Sequence, residues 1–118
     1  MLNLNHKHLA VWDKSLRLIK EVYKLTGKLP NEEKYVLTSQ LRRASISVAS
    51  NIAEGAARKS VLERRRFYEI ARSSTVEIDT QIEICKLLEY FKENDLQNLD
   101  SELNNVFALL TAMIKNTK

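Results

Sequence analysis

The sequence is poor in punctuation: 118 residues contain two glycines, one proline, one cysteine and two histidines. So few breaks leave room for long regular segments. A lone Cys85 rules out an internal disulfide and fits a reducing compartment. No uninterrupted apolar run reaches the roughly 18 residues of a membrane span. The opening MLNLNHKHLAVWDK lacks the apolar stretch and small-residue cleavage site of an export signal, so a cytoplasmic protein is expected. The scarcity of histidine removes several chemistries at once. His6 and His8 fall in an N-terminal tail that reads as frayed, where a stray metal ion is the most they could hold. The paired Glu-x-x-His motifs of a di-iron bundle cannot be assembled, nor a Cys/His zinc site, nor a Ser-His-Asp or Cys-His nucleophile. No glycine-rich loop precedes a Lys-Ser/Thr pair, which excludes a P-loop. The expectation is therefore a non-enzyme with no catalytic residue, metal or cofactor.

What is present suits one globular domain spanning 1–118. Hydrophobic residues make up 44% and charged residues 29%, a balance that argues against disorder, and the length suffices for a core without staples. The net charge of +4 is unevenly placed. Between Arg42 and Arg72 lie Arg42, Arg43, Arg58, Lys59, Arg64, Arg65, Arg66 and Arg72 against only Glu54, Glu63 and Glu69, a local balance of +5 that leaves −1 for the rest. Seven of the eight arginines sit there. Clustered arginine suits a polyanionic partner, because guanidinium groups contact phosphates bidentately. A solvated face with local ion pairs accounts for the same run.

Apolar spacing predicts four helices, over roughly 8–26, 32–57, 60–92 and 95–116. The first carries Trp12, Leu16, Ile19 and Tyr23 on one stripe and stops at Gly27-Lys28-Leu29-Pro30. The second begins behind Asn31 as N-cap, with Glu32 and Glu33 in its first turn, and runs a seam of Leu37, Leu41, Ala44, Val48 and Ile52. Ser60-Val-Leu-Glu63 reads as a capping box opening the third helix. That helix continues through Phe67, Ala71, Ser74, Ile78, Gln81, Cys85 and Leu88, for about 50 Å at 1.5 Å per residue. Asn94 or Asp95 caps the fourth, whose seam is Leu99, Leu103, Val106, Leu110 and Met113. No segment alternates like a half-buried strand. The fold class is all-α, an antiparallel up-down-up-down four-helix bundle.

The second helix is apolar on two sides. Opposite its seam stand Ile46, Ala49 and Ala53, with Ala56 and Ala57 beside them, where a surface helix is normally polar. Such a stripe predicts self-association, although alanine is also simply a good helix former. A polar stripe of Arg43, Ser47, Ser50, Asn51, Glu54 and Arg58 runs between the two faces. It reads either as a groove that orients arginine toward a partner or as an internal network fixing helix registry. Gly55 falls on the seam, at a propensity cost of about 1 kcal/mol that close packing would explain. Arg65 and Arg72, one heptad apart, are expected to face away from the core. With Arg43, Arg58, Lys59 and Arg64, and with Arg66 beside them, they form the candidate phosphate contacts.

The run from Gln40 to Gly55, QLRRASISVASNIAEG, followed by Arg58, resembles the signature of a bacterial family of four-helix bundles, the 23S rRNA intervening-sequence proteins. The later Phe67, Ile70-Ala-Arg-Ser-Ser74, Glu77 and Gln81 are similar to that family's second block. The resemblance covers nearly the whole chain, and a related branch comprises accessory proteins of diversity-generating retroelements. It implies a homo-oligomer, typically a pentamer, with Arg42, Arg43, Ser47, Asn51, Glu54, Gly55 and Arg58 as motif residues. Arg42, Ile46, Ala49 and Ala53 are the expected subunit contacts; Ser47, Asn51, Glu54 and Gly55 the expected structural motif. The expected partners are copies of the chain itself and ribosomal or other nucleic acid, or else an acidic protein, with no membrane.

Overall fold

The computed structural model describes residues 1–117. Its regular elements are helices α1 (Ala10–Thr26), α2 (Leu37–Ala57), α3 (Val61–Leu87) and α4 (Gln97–Asn116). Short 3-10 turns lie at Asn5–His8, Asn31–Glu33 and Glu93–Leu96, and no strand occurs among the described residues. Helix α1 packs on α2 and α4, and α3 packs on the same two. Short connections therefore close an antiparallel square of extents 44 × 29 × 20 Å.

The α2 seam lies where the spacing puts it: Leu41, Ala44, Val48 and Ile52 are fully buried. Leu99, Leu103, Val106 and Leu110 of α4 meet it across the core. Helix α1 is turned by one residue. Its buried side is Val11, Ser15, Leu18, Val22 and Leu25, while Leu16 and Tyr23 are exposed and Trp12 and Ile19 half-buried. Two apolar stripes about 100° apart compete on this helix, and the one without aromatic residues goes inward, with Ser15 donating to the Trp12 carbonyl at 2.6 Å. In α3 the core side is Tyr68, Ala71, Thr75, Ile78, Ile82 and Cys85, and Leu88 is exposed.

Helix ends also depart from expectation. Helix α2 starts at Leu37 rather than near residue 32, and Asn31 supplies no side-chain cap. Glu33 is engaged elsewhere, its carboxylate accepting a 2.7 Å hydrogen bond from the Tyr90 hydroxyl. Helix α3 ends at Leu87 rather than near 92. Glu89 adopts φ 63°, Tyr90 N–H donates to the Cys85 carbonyl at 2.9 Å and Glu89 N–H to the Lys86 carbonyl at 3.0 Å. That is a Schellman motif with glutamate in the position glycine usually takes. The shortened helix spans about 40 Å. At its start, Ser60 Oγ accepts from Glu63 N–H at 3.3 Å, one half of the expected box. His6 is not frayed. It is 8% exposed and stands edge-on to Trp12, ring centroids 5.0 Å apart, in a turn that packs against α2.

Candidate nucleic-acid interface

Antiparallel topology gathers the start of α1, the end of α2, the start of α3 and the end of α4 at one pole of the bundle. Arg58, Lys59, Arg64, Arg65 and Arg66 arrive there from the α2–α3 turn, and the same topology adds Lys7 and Lys115 from the chain's two ends. The last two are invisible to a search for charge runs, because only the parity of the helices brings them in. Acids are sparse at this pole, with Glu54 and Glu63 the nearest in sequence to the turn.

The cations differ in how they are held. Arg58 donates to Glu54 at 3.0 Å, both side chains about half exposed, and its guanidinium lies 5.0 Å from the Phe67 ring centroid. An exposed i,i+4 pair contributes a few tenths of a kcal/mol, so a phosphate can displace it. Arg64 ties the turn together, Nη1 donating to the carbonyls of Lys59 (2.8 Å) and Arg58 (3.2 Å). Arg65 does not face away from the bundle. Its Nη2 donates to the Thr117 carbonyl at 2.7 Å, while Nε is buried with no partner. Lys59 and Arg66 are exposed. Between the helix ends, a depression of about 270 Å³ is lined by Leu9, Arg64, Tyr68, Met113, Asn116 and Thr117. Burial pushes the Tyr68 phenol upward, against an opposing pull from Arg64.

Two of the expected phosphate contacts stand apart. Arg43 lies fifteen residues before Arg58 on α2, about 22 Å along the axis. It bonds Glu77 of α3 at 2.6 Å and Gln40 at 3.1 Å. Arg72 turns toward α4, 3.4 Å from Thr111 Oγ1 and 5.9 Å from the Phe107 ring centroid. Neither joins the pole.

The polar stripe of α2 is partly a cross-link. Asn51 Nδ2 donates to the Ser47 carbonyl (2.8 Å) and Oγ (3.0 Å), and the Ser74 hydroxyl lies 3.0 Å from Ser47 Oγ and 3.2 Å from the Ile70 carbonyl. Gly55 is buried against Tyr68 and Phe67. Ser50 and Glu54, one turn apart, line a cleft on the far side with Leu4, His6 and Ala53.

On that far side the expected subunit contacts divide. Ala49 is 8% exposed within its own chain, and Ala53 is half-buried beside the N-terminal turn. Ile46 is 45% exposed. Arg42 donates from Nε to Thr26 Oγ1 at 2.9 Å and lies 4.4 Å over the Tyr23 ring. Sequence reading of α2 alone missed the exposed Leu16 and Tyr23 of α1, which extend this face. Among the described residues, no group of three or more His, Cys, Asp or Glu could hold a metal ion, and no helix is long and apolar enough to cross a membrane.

The family model of the 23S rRNA-intervening sequence protein matches residues 7–112. A search of curated proteins returns no match. The chain is similar to a crystal structure from Bacteroides thetaiotaomicron described as a protein of unknown function from the S23 ribosomal protein family. The two are 26% identical with a TM-score of 0.82, over 91% of this chain and 100% of that one.

Proposed function

This chain belongs to the 23S rRNA-intervening sequence protein family, and from that premise we propose that it is a non-enzymatic, self-associating bundle whose basic pole binds nucleic acid, RNA foremost. The observation that carries the reading is the convergence at one end of cations from all four helix ends, with Arg58, Lys59 and Arg66 facing solvent. Contacts of this kind position a backbone without reading sequence, so binding is sequence-tolerant and salt-sensitive. A role on ribosomal or other RNA places the protein in the cytoplasm. Self-association into a ring, a pentamer on the family resemblance, is supported by the exposed Leu16, Tyr23 and Ile46 on neighbouring helices.

Electrophoretic shift of a structured RNA tests this directly. The native chain shifts the RNA at low salt and loses it at moderate salt. Arg58→Glu with Lys59→Glu and Arg66→Glu abolishes the shift, while Arg43→Ala and Arg72→Ala keep it. No shift at low salt would sink the proposal. One observation favours a second reading: Leu62, 76% exposed among these cations, suits an acidic protein surface better than a sugar–phosphate chain. Capture of a protein that survives nuclease treatment, lost on Leu62→Ser, would favour it.

A further inference from the structure

The depression at the basic pole sets apolar side chains among cations. Leu9, Tyr68 and Met113 line it beside Arg64, Asn116 and Thr117. Several of these groups are fixed before anything enters. Arg64 is held by the carbonyls of Lys59 at 2.8 Å and Arg58 at 3.2 Å. At the C-terminal lip, the Thr117 hydroxyl donates to the Met113 carbonyl at 2.5 Å, and the Thr117 carbonyl accepts from Arg65 Nη2 at 2.7 Å. Holding that lip leaves Arg65 Nε buried with no partner, an arrangement native folds mostly avoid, so the lip is kept in place against a penalty. A hollow formed in advance binds without the cost of ordering its walls. At about 270 Å³ it lies just below the roughly 300–1,000 Å³ of sites that engulf a drug-sized ligand, which suits one flat ring system. A phosphate backbone gains nothing from Leu9 and Met113, and a perfect duplex keeps its bases stacked inside. An unpaired nucleotide offers what both lack: a base with apolar faces and a hydrogen-bonding edge, which proteins hold against aromatic rings or arginine planes. Such a contact tolerates sequence, because every base has a π-face.

We infer that the depression receives one unpaired base of an RNA whose backbone lies on the surrounding cations. This rests on the nucleic-acid binding proposed above and names the form of RNA that the pole selects. The base lies against Leu9, Met113 and the Arg64 guanidinium, and the Asn116 amide offers its edge both a donor and an acceptor. Bulges and loops are therefore preferred to perfect duplex, whatever the base.

The test compares two RNAs: a duplex with one bulged nucleotide, and the same duplex with an abasic residue in the bulge. Both carry the same phosphates, so the ratio of their affinities reads the base alone. In filter binding at low salt, the native chain holds the bulged RNA about tenfold tighter than the abasic one. Met113→Gln keeps an unbranched side chain but makes that part of the lining polar, and Asn116→Ala truncates an exposed side chain at the end of α4. With folding verified by circular dichroism, each variant brings the ratio toward one and leaves the abasic RNA bound as the native chain binds it, since neither removes a cation. Equal affinity of the native chain for the two RNAs overturns the inference and leaves the basic pole standing. A tenfold ratio that survives both variants overturns it too, because the base then sits elsewhere. Failure to bind either RNA at low salt removes the proposed function and this inference with it.

Discussion

At Gly55, the missing side chain is a packing requirement. An ideal Cβ there would stand 2.7 Å from Tyr68 Cε1 and 3.1 Å from Phe67 Cβ. Tyr68 is buried and Phe67 Cβ is fixed to the α3 backbone, so neither yields readily. Alanine recovers about 1 kcal/mol of helix propensity, while overpacking costs about 1–3 kcal/mol. Gly55→Ala is therefore expected to lower stability by about 1 kcal/mol, read as a lower urea midpoint at unchanged slope. A midpoint at or above the native one would mean that the Tyr68 ring has room to move. Tyr90 yields a pH prediction of definite sign. Its hydrogen bond to Glu33 first, then desolvation and the Glu33 charge, push the phenol up to about 12 from 10.0. The folded chain thus keeps a proton that the unfolded chain gives up, so the bond's contribution is complete below pH 10 and is lost as pH climbs through 12. Tyr90→Phe is expected to flatten that alkaline decline when urea midpoints are compared across the window. An unaltered decline would assign it to other groups.

Among the elements, α3 shows why some boundaries were legible and others not. Its start was written in side chains: Ser60 caps Glu63 N–H as a Ser-x-x-Glu pattern implies. Its end was written in backbone, because the residue in the left-handed conformation is Glu89 and not a glycine. The apolar pattern through Leu88 therefore read straight past the stop. The α2 seam was legible because one face is continuously aliphatic. The α1 seam was not, since two stripes of similar apolarity compete there and only Trp12 of the second packs against the core. The candidate site divides the same way. Arg58, Lys59, Arg64 and Arg65 are neighbours in sequence and at the pole, whereas Arg43 and Arg72 were separated from them by helix length and rotation. The hidden stop is itself testable. A left-handed non-glycine residue costs about 1–2 kcal/mol, part of which glycine returns through greater freedom in the unfolded chain. Glu89→Gly is thus expected to stabilise the fold by about 1 kcal/mol in urea unfolding. A loss instead would show that the Glu89 side chain contributes more than its conformation costs.

For the whole molecule, the proposed self-association and the proposed nucleic-acid binding use different parts of one bundle, because Ile46 stands about 18 Å along α2 from Arg58. In a proposed ring whose bundles stand along the ring axis, every pole lies on the same side and the cations are presented together. Binding through several poles is then multivalent, each further contact being effectively intramolecular. Counterion release makes this measurable: the slope of log K against log salt is about −0.9 per phosphate neutralised on a duplex and about −0.7 on a single strand. Neutralising one cation, Arg58→Ala, leaves binding measurable and should flatten the slope by about 0.7–0.9 per pole engaged. Ile46→Glu is the sharper case. Its position is about 18 Å along α2 from Arg58, and it removes no cation from the pole. It is nonetheless expected to reduce the slope to that of one pole, because it dissolves the array that presents the others. A slope unchanged by Ile46→Glu, in a variant shown to be monomeric, would mean that a single pole does all the binding and that the assembly serves another purpose.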